Sequence, residues 1–325
     1  LMGTGDWNDG MNRVGMDGRG ESVWVGWFLS ATLTRFAELS ACRGDQEQAT
    51  IYASRARELN SAIESSAWDG AWYRRAYYDD GTPLGSAASG ECQIDSIAQA
   101  WAVLSGAGDP TRAAQAMESL ATRLVQPDDM LVQLLAPPFD QTKCDPGYIK
   151  GYPPGIRENG GQYTHGALWA VWAFAQLGQG DRAESLFRML NPIHHGDTLE
   201  KVARYRVEPY VVAADVYSAP PHAGRGGWTW YTGSNGWMYR LGLEAILGVR
   251  RIGKTLQIDP CIPKSWASYN LLYRIGATSF QIGVENPTGV NRGVKVMTLD
   301  GKVLSGKEVP LIEDGLAHQV NVLMG

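Results

Sequence analysis

Residues 24–63 read WVGWFLSATLTRFAELSACRGDQEQATIYASRARELNSAI, and the spacing inside this stretch decides the fold. Trp24, Trp27, Phe28, Ala31, Phe36 and Leu39 predict one buried helical face, and Ile51, Ala56, Leu59 and Ile63 a second. Between them Gly44 can stop the first helix and Asp45 can cap the next. So short a connection makes the two helices an antiparallel αα-hairpin.

The same pattern repeats outward. Ile94, Ile97, Trp101 and Leu104 are followed, after residues 106–110 (GAGDP), by Met117, Leu120 and Leu124. Leu168, Val171, Trp172 and Ala175 are followed, after Gly178-Gln179-Gly180, by Ala183, Leu186, Phe187 and Leu190. A last helix is predicted from about Ser234 to Leu247. The links between hairpins, 69–91, 127–161 and 205–233, are long and rich in Gly, Pro, Tyr and Asp. Loops of that length are functional or disordered, and their aromatic content argues against disorder. Hairpins with elaborate loops on one side predict a mainly α chain, part of an α/α toroid whose loop face does the work. A plain helical bundle is the alternative.

Beyond Arg251 the period changes to two. Phe280, Ile282 and Val284 alternate with other residues, as do Val294 with Val296 and Val320 with Val322, and Asp300-Gly301 reads as a hairpin turn. The expected division is therefore a helical part over residues 1–251 and a small β domain, a sandwich, over 252–325.

Composition narrows the function. At about 150 residues per domain, 325 residues predict two domains. With 29 basic and 34 acidic residues and a net charge of −5, and with no basic run, the chain does not read as a nucleic-acid binder. The longest apolar run, Ala167 to Ala175, is nine residues, too short for a membrane span. Cys42, Cys92, Cys144 and Cys261 lie 50 or more residues apart, which suits buried thiols of a reducing, cytoplasmic compartment better than a metal knuckle or disulfide framework. Trp (12) outnumbers Phe (6), with 14 Tyr beside them. Such rings serve core packing or stacking on sugars. The abrupt opening, Leu1-Met2-Gly3-Thr4-Gly5, reads as the middle of a longer protein.

Three polar clusters could carry chemistry. The densest runs from Gly3 to Arg13 and holds Asp6-Trp7-Asn8-Asp9 between glycines. Counted from Asp6 as an EF-hand loop, its fifth and sixth positions are Gly10 and Met11, which provide neither the oxygen ligand nor the glycine required. What remains is a carboxylic acid beside a sugar-stacking indole, suited to general acid catalysis at a glycosidic bond, or else an Asx-rich turn. The second cluster, 152–165, ends on His165 just before a helix and contains Arg157, a bidentate anion donor. The third, 224–234, puts Thr232 and Gly233 at another helix start. Two helix N-termini with a His and an Arg make a phosphate cradle. Adjacent His194 and His195 point apart and have no third ligand at useful spacing, so no metal is expected there. Glu208 and Asp215 suit hydrogen bonds to sugar hydroxyls, or equally a cap or an ion pair.

In combination these motifs are recognisable. Gly-Asp6-Trp7-Asn8-Asp9-Gly, then Tyr-Pro-x-Gly-Ile-Arg157-Glu158-Asn159-Gly-Gly leading to His165, then Glu208-Pro209-Tyr210, then Trp-x-x-Thr232-Gly233-Ser resemble glycoside hydrolase family 94, the inverting glycoside phosphorylases. Within it, residues 3–15, Pro220-Pro221-His222 and residues 226–230 are most similar to the C-terminal domain of cyclic β-1,2-glucan synthases. The resemblance implies Asp9 as general acid and Trp7 as lining of the sugar subsite. It also implies Tyr152, Arg157 and Glu158 around the substrate, and His165, Thr232 and Gly233 on phosphate. It implies an (α/α)6 toroid with a small C-terminal β domain, inorganic phosphate as co-substrate, and no cofactor or metal. The implied partners are a β-glucan, phosphate and an upstream half of the toroid, with room for a homodimer and a parent anchored in an inner membrane. Where cellobiose phosphorylases carry Gln after Glu-Pro-Tyr, this chain has Ala214 and Asp215, which disfavours cellobiose. An inverting hydrolase with Glu158 as base, or a glucan-binding piece without turnover, are the rival expectations.

Overall fold

The computed structural model describes residues 1–3 and 5–325. The chain forms two compact units, residues 1–173 with 189–235 and residues 174–188 with 236–325.

Helices α1 (Val23–Cys42) and α2 (Gln46–Ser66) pack along each other as the expected hairpin. Gly44 turns the chain with a positive φ of 83°, and the Asp45 carboxylate accepts the Gln48 N–H at 3.1 Å. Gly26 lets the helices approach, since a Cβ there would lie 2.8 Å from Ile63 Cδ1. Helices α3 (Ser96–Leu104) and α4 (Pro110–Leu124) form a second pair, with Asp109 capping α4 and Pro110 in its first turn. Further along lie α5 (Thr164–Gln176), α6 (Gly180–Leu190) and α7 (Leu199–Tyr205). Last comes α8 (Thr232–Arg240), which runs on as a π-helical turn, Leu241–Ile246.

Three helices begin in one way that periodicity does not reveal. A two-residue strand immediately precedes each, and each strand pairs with a loop distant in sequence: Glu21–Ser22 with Ala76–Tyr77, Ile94–Asp95 with Leu135–Ala136, and Gln162–Tyr163 with Asp215–Val216. The first helical N–H then donates to the carbonyl of the residue just before that loop strand. Val23 donates to Arg75 (3.1 Å), Ser96 to Leu134 (2.7 Å) and Thr164 to Ala214 (2.8 Å). Amides that a helix start leaves orphaned are thus satisfied by loop backbone.

These short ladders and the C-terminal strands make the chain mixed rather than mainly α, at 38% helix and 21% strand. Burial also departs from expectation. Trp24, Trp27, Ala56 and Ile63 are buried, whereas Phe28, Phe36, Leu39 and Ile51 are exposed. Helix α1 is apolar nearly all round, so its spacing could not say which stripe the rest of this chain covers. Cys92 and Cys261 are buried as expected, but Cys42, the last residue of α1, and Cys144, in an irregular loop, are exposed. No helix among the described residues is long and apolar enough to cross a membrane.

In the second unit, Val249–Ile252, Thr255–Ile258 and Glu308–Pro310 form a three-stranded sheet. A five-stranded sheet runs Ser268–Ile275, Thr278–Glu285, Ala317–Met324, Val294–Leu299, Lys302–Val303, antiparallel except where Thr278–Glu285 and Ala317–Met324 run parallel. Phe280, Ile282, Val284, Val320 and Val322 face one core with Leu256, Ile258 and Val309 of the smaller sheet. Asp300 and Gly301, both at positive φ, make the predicted hairpin turn.

Candidate active site

The amino-terminal motif is held from below by a buried ion cluster. Asp6 lies between Ser22, whose hydroxyl donates to Oδ2 at 2.5 Å, and the Arg75 guanidinium, which donates to both carboxylate oxygens. Arg75 is wholly buried, also reaches Ser22 Oγ (3.1 Å), and brings its Nε to 3.4 Å from Asp95 Oδ2. A charge so placed is tolerable only when paired. Burial would lower the guanidinium's pKa, but Asp6 and Asp95 together raise it. Asp95 is pushed up to about 6, because burial outweighs the attraction of Arg75.

From that anchor the chain turns outward. Asp6 Oδ1 accepts the Asn8 N–H (2.9 Å), and Asn8 Oδ1 accepts the Gly10 N–H (3.1 Å), capping a 3-10 turn over Asp9–Met11. A second 3-10 turn, Tyr148–Gly151, backs the first, with the Tyr148 N–H donating to Asn12 Oδ1 (3.2 Å). Asp9 is exposed at the tip, and the Tyr148 hydroxyl has its pKa pushed up to about 12 by desolvation and then by the nearby Asp9 carboxylate.

Asp9 opens onto a cleft of about 500 Å³ lined also by Trp7, Tyr152, Arg157, Glu158 and His165. Arg157 sits at a positive φ of 50°, a strained position for a side-chain-bearing residue. Its guanidinium stacks over Tyr152 (5.3 Å) and Trp228 (5.5 Å), while Nε reaches Glu158 Oε2 at 3.4 Å. Buried Asn159 holds this loop: it receives the Phe139 N–H (2.7 Å) and donates to the carbonyls of Phe139 and Tyr152 (2.8 Å each). Burial raises the Glu158 pKa against the pull of Arg157. His165 is the second residue of α5, inside the helix rather than before it, and burial pushes its pKa down to about 4. The Trp7 indole N–H donates to His165 Nδ1 at 3.2 Å.

The structure thus brings Trp7, Asp9, Tyr152, Arg157, Glu158 and His165 to one cleft. The other expected residues stand apart from its lining. Thr232 and Gly233 are exposed in the first turn of α8, directly after Tyr231, which does line the cleft. That helix starts two residues before the predicted Ser234, because the Asn235 N–H already reaches the Tyr231 carbonyl (3.1 Å). Asp215 is buried, and its carboxylate accepts the Trp228 N–H (3.2 Å) and fills the space a Gly227 Cβ would need. Glu208 lies in the irregular loop after α7, its pKa lowered by its own backbone N–H and then by Thr229. His194 and His195 diverge, the first to Asp197 (3.4 Å) and the second stacked on Tyr205 (4.6 Å). Among the described residues no group of three His, Cys, Asp or Glu could hold a metal.

Sequence reasoning missed Tyr148, Tyr163 and Tyr231, all on the cleft, the last two joined hydroxyl to hydroxyl at 2.9 Å. It also missed Arg75. The phenols had a signal in the aromatic-rich loops. Arg75 had none, since nothing local marks an arginine that a fold will bury.

A family model described as the glycosyl hydrolase 94 superfamily, catalytic domain, matches residues 1–248. The chain is similar to cyclic beta-(1,2)-glucan synthase NdvB of Rhizobium meliloti, 51% identical over 93% of this chain and 11% of that protein. It is similar to solabiose phosphorylase of Paenibacillus borealis, 32% identical over 100% of this chain and 42% of the relative. It is similar too to N,N'-diacetylchitobiose phosphorylase of Vibrio proteolyticus, 33% identical over 98% and 39%. The chain therefore spans about a tenth of the first relative and about two fifths of the others. A solved sialidase structure resembles it in fold alone, with a TM-score of 0.50 and 15% identity over 84% of this chain and 24% of that one.

Proposed function

The chain belongs to the glycosyl hydrolase 94 superfamily, and on that premise we propose that its cleft serves inverting phosphorolysis of a β-glucosidic bond, β-1,2-linked, yielding α-glucose 1-phosphate. One observation carries the reading: Asp9 and His165, far apart in sequence, line the same cleft with Arg157 between them in sequence. Asp9 donates a proton to the leaving glycosidic oxygen as positive charge builds on the anomeric carbon. Inorganic phosphate attacks from the opposite face, with His165 and the exposed start of α8 at Thr232 and Gly233 as its donors. Phosphate arrives already anionic, so no second carboxylate is required, whereas an inverting hydrolase must activate water with one. Arg157, Glu158 and Tyr152 are read as sugar contacts. The similarity to a cyclic glucan synthase supports the β-1,2 linkage. The hairpins are read as part of an (α/α)6 toroid completed by sequence that the longer relatives carry, and the C-terminal sheets as a β-sandwich.

Hydrolysis is the second reading, because Glu158 lies in the same cleft and burial raises its pKa toward that of a useful base. The two separate on phosphate. β-1,2-Gluco-oligosaccharides are incubated with the chain, alone and within the longer protein that the relatives' lengths suggest. Glucose 1-phosphate released only when phosphate is added supports phosphorolysis, and free glucose released at the same rate without phosphate overturns it.

A further inference from the structure

An indole nitrogen only donates, so the imidazole nitrogen that faces the Trp7 N–H must offer a lone pair. A neutral imidazole with its lone pair on Nδ1 carries its proton on Nε2. We propose that Trp7 is a positioning residue that fixes His165 as the neutral, Nε2-protonated tautomer, so that any oxyanion reaching Nε2, which is buried here, would meet an uncharged hydrogen-bond donor. This differs from the sugar-lining role expected of Trp7 from sequence.

The packing makes the indole a fixed donor. Its ring stands edge-on to Tyr163 (5.2 Å) and tilts against Trp169 (5.8 Å), which itself lies 4.3 Å from the imidazole. Protonating Nδ1 would set two N–H groups face to face, so the indole opposes the imidazolium, and burial acts in the same direction. The charged groups open to this cleft are the carboxylates Asp9 and Glu158 and the guanidinium of Arg157; Asp6 also borders it, but its carboxylate is sealed beneath. Asp6 is occupied by Arg75 and Ser22 and Glu158 by Arg157, Asp9 lies near the Tyr148 hydroxyl, and Tyr163 and Tyr231 bond each other. The consequence is a phosphate donor whose strength does not change between about pH 5 and pH 8, where an ordinary histidine would switch. That catalytic consequence rests on the phosphorolysis proposed above, but the tautomer does not.

Nuclear magnetic resonance of the 325-residue chain, with 15N in its histidine and tryptophan rings, tests the assignment without any turnover. A pyridine-like Nδ1 and a pyrrole-like Nε2 on His165, unchanged from pH 5 to 8, are expected, and an Nδ1-protonated ring overturns the proposal. In Trp7→Phe the lost donor should leave a mixture of tautomers and raise the titration midpoint by roughly one pH unit. A variant with wild-type tautomer and midpoint also overturns it. Should that variant fail to fold, scalar coupling across the hydrogen bond between Trp7 Nε1 and His165 Nδ1 in the unaltered chain decides, its presence in favour and its absence against. Inorganic phosphate is then titrated in. If Nε2 does not respond while the tautomer stands as expected, this inference is supported and the phosphate-binding role of His165 fails on its own.

Discussion

The molecule holds two groups of identical chemical make-up, each two carboxylates and one arginine. In the first, Asp6, Asp95 and Arg75 are sealed from water, with exposures of 6%, 1% and 0%. In the second, Asp9 is exposed on an open cleft and Glu158 and Arg157 are half-buried. The two are joined by only two residues of chain, Trp7 and Asn8, since Asp6 belongs to one and Asp9 to the other. Composition therefore says nothing about role here. Burial turns the first group into a fastener that aims the second, and access to solvent leaves the second free to meet a substrate.

The sharpest way to break this contrast is to unpair the sealed group. Arg75→Met leaves two buried carboxylates facing each other, and urea unfolding should show a loss of roughly 3–5 kcal/mol. An equally stable variant would mean that the cluster fastens nothing. On the open side, Asp9→Asn should cost roughly 10²- to 10⁴-fold in the initial rate of glucose 1-phosphate formation. Its unfolding midpoint should barely move, because an exposed tip contributes little to stability. Near-normal turnover would move the acid elsewhere.

A finer test uses pH. Asp95 titrates at about 6 when folded against an ordinary 3.8. Between those values the folded chain keeps a proton that the unfolded chain has released, so this residue makes stability fall as pH rises through the window. Asp95→Asn cannot ionise, yet still accepts from the Ile97 N–H as a helix cap. The wild-type minus variant difference in denaturant midpoint should slope downward from pH 4 to 6 and be level above pH 7. The smallest effect belongs to an exposed Arg–Asp pair, Arg13 with Asp145 at 2.5 Å, about half exposed on both sides. Arg13→Ala should change stability by less than about 1 kcal/mol.

Much of this could be read from the chain. Gly44 and Asp45 announced the first hairpin, and Asp300-Gly301 the last turn, because positive φ and N-capping demand particular residues locally. The Asp9, Arg157 and His165 motifs were legible as chemistry, and the fold delivers them to one place. What stayed hidden depends on distant partners. Spacing marked Phe28 and Phe36 as apolar but not as uncovered. Two-residue strands are too short to show a period, and the parallel neighbour of Thr278–Glu285 comes from 30 or more residues downstream. Arg75 looks like any surface arginine until Asp6 and Asp95 arrive beside it.

The short ladders ahead of α1, α3 and α5 have one more implication. Each stitches a helix entrance to loop backbone through carbonyls and amides alone, at Ala76–Tyr77, Leu135–Ala136 and Asp215–Val216. The stitches themselves place no demand on side-chain identity, although some loop residues, such as Tyr73 against Trp27 and Glu64, do pack on the helices. Backbone pairing of this kind can hold the helix ends in register where the loop sequence beyond it varies in length or chemistry.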